Sequence, residues 1–170
     1  LLRQTYQPLE ILVADDGSSG GTRDVAARYP TVRLLAGAHR GKARTVNEAV
    51  SMARGAIVLF LDGDMYFDPR YVETLVAPIL SGETIGTCHA LEHVANATNR
   101  WSRCWQVSAG LPVESRLRLS AEDIARGSIV FRAVVRDEFL RVDGFEDTGY
   151  NDDQTLSPKL GRRAVFVLDA

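Results

Sequence analysis

Apolar positions along this chain fall into two alternating patterns, short runs of strand length and longer stretches with a helical repeat. Leu9, Ile11, Leu12, Val13 and Ala14 predict a strand over 9–14, which ends in the polar, glycine-rich turn Asp15-Asp16-Gly17-Ser18-Ser19-Gly20-Gly21. A helix over 22–29 follows, with Pro30 opposing its continuation, and then a strand over 31–36. Ala43, Val46, Val50 and Ala53 recur at i, i+3, i+7 and i+10, which predicts an amphipathic helix over 41–53 with Gly55 at its C-terminal stop. The apolar run 56–61 predicts a buried strand that runs into Asp62-Gly63-Asp64. A helix over 69–80, opened by Pro69 and kinked by Pro78, leads to a strand over 85–89. Further on, the pattern predicts a strand at 127–131, helices at 133–142 and 151–160, and a strand at 164–168.

This alternation predicts one α/β domain over residues 1–170, with a mainly parallel sheet covered by helices on both faces. Ligands of such sheets sit outside the carboxyl ends of the strands, and both acidic turns fall on that rim. Composition keeps this picture, since 45% hydrophobic and 25% charged residues are the proportions of a globular domain. Twenty Lys and Arg against 22 Asp and Glu give a net charge of −2, which argues against a nucleic-acid partner. No apolar run approaches the ~20 residues of a membrane span. The start, interrupted by Arg3, Gln4 and Gln7, does not read as a signal peptide. Two cysteines, Cys88 and Cys104, make no disulfide framework and suit a reducing, cytoplasmic setting.

Acids at strand ends are common turn formers and helix caps. The spacing of Asp62-Gly63-Asp64 points further. Two carboxylates separated by a small residue can reach one hard divalent cation, and Mg²⁺ takes one or two carboxylates together with substrate phosphates. That is a plan for holding a nucleoside diphosphate.

Four blocks in order then carry a resemblance over nearly the whole chain. They are Leu2-Arg3-Gln4-Thr5 leading to Asp15-Asp16-Gly17-Ser18, Arg40-Gly41-Lys42-Ala43 leading to Asn47, Leu59-Phe60-Leu61-Asp62-Gly63-Asp64, and Asp143-Gly144-Phe145 followed by Asn151-Asp152-Asp153. The chain resembles the family 2 inverting glycosyltransferases of GT-A fold. The resemblance implies transfer of a sugar from a nucleotide-diphosphate sugar, a UDP-sugar first, to a glycan or lipid-linked acceptor, with Mn²⁺ or Mg²⁺ as cofactor. It implies that Asp16 contacts the nucleobase and that Lys42 faces base or phosphate. Asp62 would lie near ribose or metal, Asp64 would bind the metal, and Asp153 would be the catalytic base. Asn47 is expected to brace the site. Asp152 stands where the family has Glu in its Glu-Asp pair. The family's first strand would precede Leu1, and no Gln-X-X-Arg-Trp motif of processive members occurs, so the chain reads as an internal piece of a longer enzyme at the cytoplasmic face of a membrane.

The residue types suit an inverting displacement, in which one carboxylate takes the acceptor proton and a metal neutralises the departing diphosphate. The main alternative is a phospho-receiver domain, with Asp15 and Asp16 as its acidic pair and Asp62 as phospho-acceptor. Gly37-Ala38-His39-Arg40-Gly41-Lys42-Ala43 has three residues between its glycines where a phosphate loop has four. His89-Ala90-Leu91-Glu92-His93 spells an inverted zinc-protease motif, but Gly86 and β-branched neighbours predict strand or loop rather than the helix that motif requires. Trp101, Cys104, Trp105 and Ser108 share one helical face, expected to pack on the sheet, with a membrane interface as the alternative. Arg116, Arg118 and Arg126 form a basic tract beside it.

Overall fold

The computed structural model describes residues 1–114 and 119–168. Strand β1 (Ile11–Asp15), helix α1 (Thr22–Ala26) and strand β2 (Val32–Ala36) come first, and β1 and β2 pair in parallel with Ile11 opposite Val32. Helix α2 (Lys42–Met52) leads to β3 (Ile57–Leu59), α3 (Tyr71–Leu80) and β4 (Gly86–His89). After α4 (Arg100–Ser108) and α5 (Ala121–Arg126) come β5 (Ala133–Val135), α6 (Arg136–Arg141), a 3₁₀ turn (Asp152–Gln154), α7 (Leu156–Leu160) and β6 (Val165–Val167).

Strands β3 to β6 form a second sheet in the order β3-β5-β4-β6. Here β5 runs antiparallel to both β3 and β4, whereas β4 and β6 are parallel. The α/β class is as the periodicity predicts, but the second sheet is mixed rather than mainly parallel. The difference arises in one stretch. The pattern predicts a strand at 127–131 and a helix over 133–142, yet the strand occupies Ala133–Val135 and the helix starts only at Arg136. Asp137 and Glu138 in the first turn of α6 suit the positive end of the helix dipole and mark the true start.

Helix α3 shows why the chain folds around this sheet. Tyr71, Val72, Leu75, Val76 and Ile79 lie on one face at helical spacing, and all are buried with Ala133 of β5. Each such side chain removed from water stabilises the fold by about 1.5–3 kcal/mol. On the other face Val50 of α2, Val58, Phe131, Phe139, Phe145 and Leu156 make a second cluster, with Phe60, Phe139 and Phe145 in mutual ring contact. Strand pairing here is close enough to demand a glycine. A Cβ on Gly86 would lie 2.3 Å from the Phe131 ring and 2.8 Å from the Ala133 carbonyl oxygen.

Candidate active site

Gly41 precedes α2 and offers no side chain to cap it. A side chain from the turn after β1 instead fixes the two residues that lead into the helix. Asp16 Oδ1 accepts from the Arg40 N–H at 2.8 Å and from the Thr45 hydroxyl at 2.7 Å, and Oδ2 accepts from the Gly41 N–H at 2.8 Å. The Thr45 hydroxyl, then the Arg40 N–H, hold the Asp16 carboxyl below its ordinary value. Asp15 beside it is buried and accepts from the Ser18 N–H at 3.0 Å and Arg23 Nε at 2.8 Å. Ser18 first and Arg23 next lower its pKa to about 2. Both acids of this turn are thus bound into their own chain.

The same helix reaches the second acidic turn. Lys42 Nζ lies 3.1 Å from Asp62 Oδ1, and Arg132 Nη1, from the residue before β5, lies 2.9 Å from Asp62 Oδ2. Burial alone would raise the Asp62 carboxyl, but Arg132 and Lys42 outweigh it and hold the group below its ordinary value. Asp64 is exposed and makes no hydrogen bond or ion pair among the described residues.

Deeper along α2, Arg44 pairs with Asp147 at 3.2 Å. Asn47 donates to the Phe145 carbonyl at 2.9 Å and accepts from the Phe145 N–H at 3.0 Å, so its amide clasps both backbone groups of one residue. Asn47 braces the loop as expected. Gly144 makes room for that clasp, since it has φ +59° and a Cβ there would fall 2.3 Å from Asn47 Oδ1. Beyond it the two neighbouring acids part. Asp152 is buried and accepts from the Thr148 N–H at 3.1 Å and the Thr148 hydroxyl at 2.8 Å. Asp153 is half-buried and has no hydrogen bond or ion pair among the described residues. The expected helix over 151–160 is broken here by Asn151 in the left-handed region and by the 3₁₀ turn, with α7 starting only at Leu156.

Behind the rim, the Tyr71 hydroxyl and His89 Nδ1 are 2.8 Å apart and buried, and burial pushes the phenol well above its ordinary pKa. His89 closes β4 and His93 is exposed in a non-helical segment, so the protease-like motif is not presented on a helix. Burial also raises the Cys88 thiol, with Asp153 among the smaller contributors. Arg132 escaped sequence reading, although one charge inside the otherwise apolar run Ile129 to Val135 is a legible signal. The tryptophan face is a correction. Trp101 and Trp105 are 70% and 48% exposed, and the fully buried residue of α4 is Gln106. Arg116 and Arg118 lie outside the described residues, and Arg126 pairs with Glu122 of its own helix.

Among the described residues no three His, Cys, Asp or Glu side chains cluster as a complete metal cage. Both Asp62 oxygens face cations, whereas the Asp64 carboxylate is free. That donor set fits a hard cation shared with substrate phosphates, which needs only one or two protein carboxylates.

Comparison with known proteins identifies the family and the fold. The sequence pattern described as glycosyl transferase family 2 matches residues 1–146. The uncharacterised glycosyltransferase YibD of Escherichia coli is 34% identical over 95 residues, covering 53% of this chain and 28% of that protein. The mannosyltransferase PcManGT of Pyrobaculum calidifontis, solved with GDP-Man and Mn²⁺, superposes on 99% of this chain and 48% of its own with a TM-score of 0.65 and 26% identity. S. aureus TarS 1-349, solved with UDP, matches the fold with a TM-score of 0.71 at 15% identity, over 99% of this chain and 52% of its own. The fold is therefore GT-A, and the chain spans about half or less of each of these proteins.

Proposed function

We propose, for a chain that belongs to glycosyl transferase family 2, that its whole protein moves a sugar from a nucleotide-diphosphate sugar to an acceptor hydroxyl, with inversion and with Mn²⁺ or Mg²⁺. Family membership also displaces the phospho-receiver alternative. One observation carries the reading: α2 gathers the whole rim. Thr45 holds Asp16, Lys42 holds Asp62, and Asn47 holds Phe145 at the base of the loop that bears Asp153.

Asp153 takes the proton of the acceptor hydroxyl, for which a carboxylate without a competing partner is suited. Asp152 keeps the loop in place through Thr148. Asp16 holds its turn against α2 beside the nucleobase, and Lys42 with Asp62 faces the nucleotide. Asp64 is the principal metal ligand; when bound, the metal neutralises charge on the departing diphosphate. The donor is a nucleoside-diphosphate sugar, with UDP and GDP the two nucleotides to compare. The acceptor is a glycan or lipid-linked hydroxyl, and the setting is the cytoplasmic face of a membrane.

The test is calorimetry on the whole protein with UDP and GDP, in Mn²⁺ and in chelator, followed by NMR of the product anomer. Metal-dependent binding and an inverted anomer are expected. A retained anomer, or no nucleoside diphosphate binding in either condition, overturns the reading.

A further inference from the structure

Arg132 occupies an unusual position for a cation. Its N–H donates to the Thr87 carbonyl at 2.8 Å and its carbonyl accepts from the Phe60 N–H at 2.9 Å, so its backbone sits between β4 and the end of β3 in the middle of the sheet. Its side chain is only 17% exposed. A guanidinium carries five N–H donors, and one of them is spent on Asp62. The other four have no acceptor among the described residues. None of these nitrogens is both buried and unsatisfied, so they open to solvent at the rim, where an arriving anion can take the place of water. Lys42 adds a second cation at the same carboxylate, with its remaining ammonium protons free. Two cations against one carboxylate leave an excess positive charge where β3 ends. A planar fork of donors beside a point charge matches the oxygens of a phosphate chain.

We propose that Arg132 binds the diphosphate of the nucleotide together with Lys42, and that Asp62 serves as a positioning residue that holds these two cations in place. This rests on the nucleotide-sugar reading and adds a residue that reading does not contain. Asp62 orients one cation from α2 and one from the sheet. Asp64 is left as the carboxylate that faces a metal. The diphosphate is then held in part by the chain's own cations.

The test compares the affinities of UDP and UMP, or of GDP and GMP, for the whole protein by calorimetry in chelator. The nucleoside part is common to both ligands, so a merely structural role for Arg132 would move the two affinities together. Arg132→Gln should reduce the diphosphate's advantage over the monophosphate by about ten- to hundredfold, the scale of one or two charge-assisted hydrogen bonds. Arg132→Lys should restore part of it. Lys42→Ala, at a 63% exposed side chain, reads the same ratio without endangering the core and should lower it severalfold. Asp62→Ala leaves both cations without their anchor and should lower the same ratio in chelator. An unchanged ratio in folded Arg132→Gln, in Lys42→Ala or in Asp62→Ala overturns the proposal. If the unaltered protein binds neither nucleotide under any condition, it is the nucleotide-sugar reading itself that fails.

Discussion

The turn after β1 and the turn after β3 each end a strand in two acids, yet they use them differently. In the first, Asp15 and Asp16 are both saturated, by Ser18 and Arg23 and by Arg40, Gly41 and Thr45. In the second, Asp62 is saturated by cations and Asp64 is left open. The Asp152–Asp153 pair repeats the second arrangement, with one carboxylate turned inward to Thr148 and one open. Acidic side chains close in sequence thus divide into those that build the rim and those free to act at it. Pairing, rather than acidity, separates the two groups.

The largest test of that division is at the base. Asp153→Asn should lower kcat by roughly 10²-fold or more while leaving donor affinity nearly unchanged, as expected for a lost general base. Steady-state kinetics with calorimetry would show it. If Asp152→Asn abolished turnover in a folded protein while Asp153→Asn stayed active, the two roles would be reversed. Next comes Asp64→Asn, which should remove the metal-dependent part of nucleoside diphosphate affinity, on the order of tenfold or more. Equal affinity for variant and parent in Mn²⁺ would assign the metal elsewhere.

The inward acids should report in stability. Asp152→Ala removes the buried acceptor of the Thr148 N–H and hydroxyl, which keep the Glu146 and Tyr150 carbonyls, and should cost about 0.5–1.5 kcal/mol in denaturant unfolding. No change in midpoint would mean the loop is held without it. The mildest effect concerns Asp15. Its folded pKa of about 2 lies below the ordinary carboxyl value of 3.8, so its contribution is complete above about pH 4 and fades as pH falls towards 2. Asp15→Asn should flatten part of the acid limb of a Tm-against-pH curve, and an unchanged limb would refute the assignment.

Much of this architecture is legible before any coordinates. The predicted elements from 9–14 to 85–89 each overlap an observed one, because their apolar runs are bounded by Gly, Pro or acidic turns. The later chain is less legible. Within Ile129 to Val135 nearly every residue is apolar, so the pattern fixes neither where pairing starts nor which way the strand runs. Phe131 reaches full burial under Gly86 from outside the strand, and only the partner strands decide that. The Ser120–Asp123 capping box that opens α5 is readable in sequence, though no apolar stripe drew attention to it. In the site, residue types and spacing pick out the acids. They do not show which acids are already satisfied, because Thr45 and Arg132 lie far off in sequence and only the local turn brings Thr148 onto Asp152. The tryptophans of α4 misled for a related reason. A stripe at helical spacing shows that a face is apolar, not that anything lies against it.

The two sheets are joined by no ladder, so β1 pairs only with β2, and β3 only with β5, among the described residues. In terms of solution behaviour, each of these strands presents an unfilled row of backbone donors and acceptors flanked by Ile11, Leu12 and Val13 or by Ile57 and Leu59. Such rows are templates onto which another extended segment adds, and no lysine or proline lies within either strand to discourage it. A preparation of these 170 residues alone should therefore turn from monomer to β-rich aggregate as its concentration rises. A lysine placed at Ala14, the exposed position of β1, is where its solubility would be recovered.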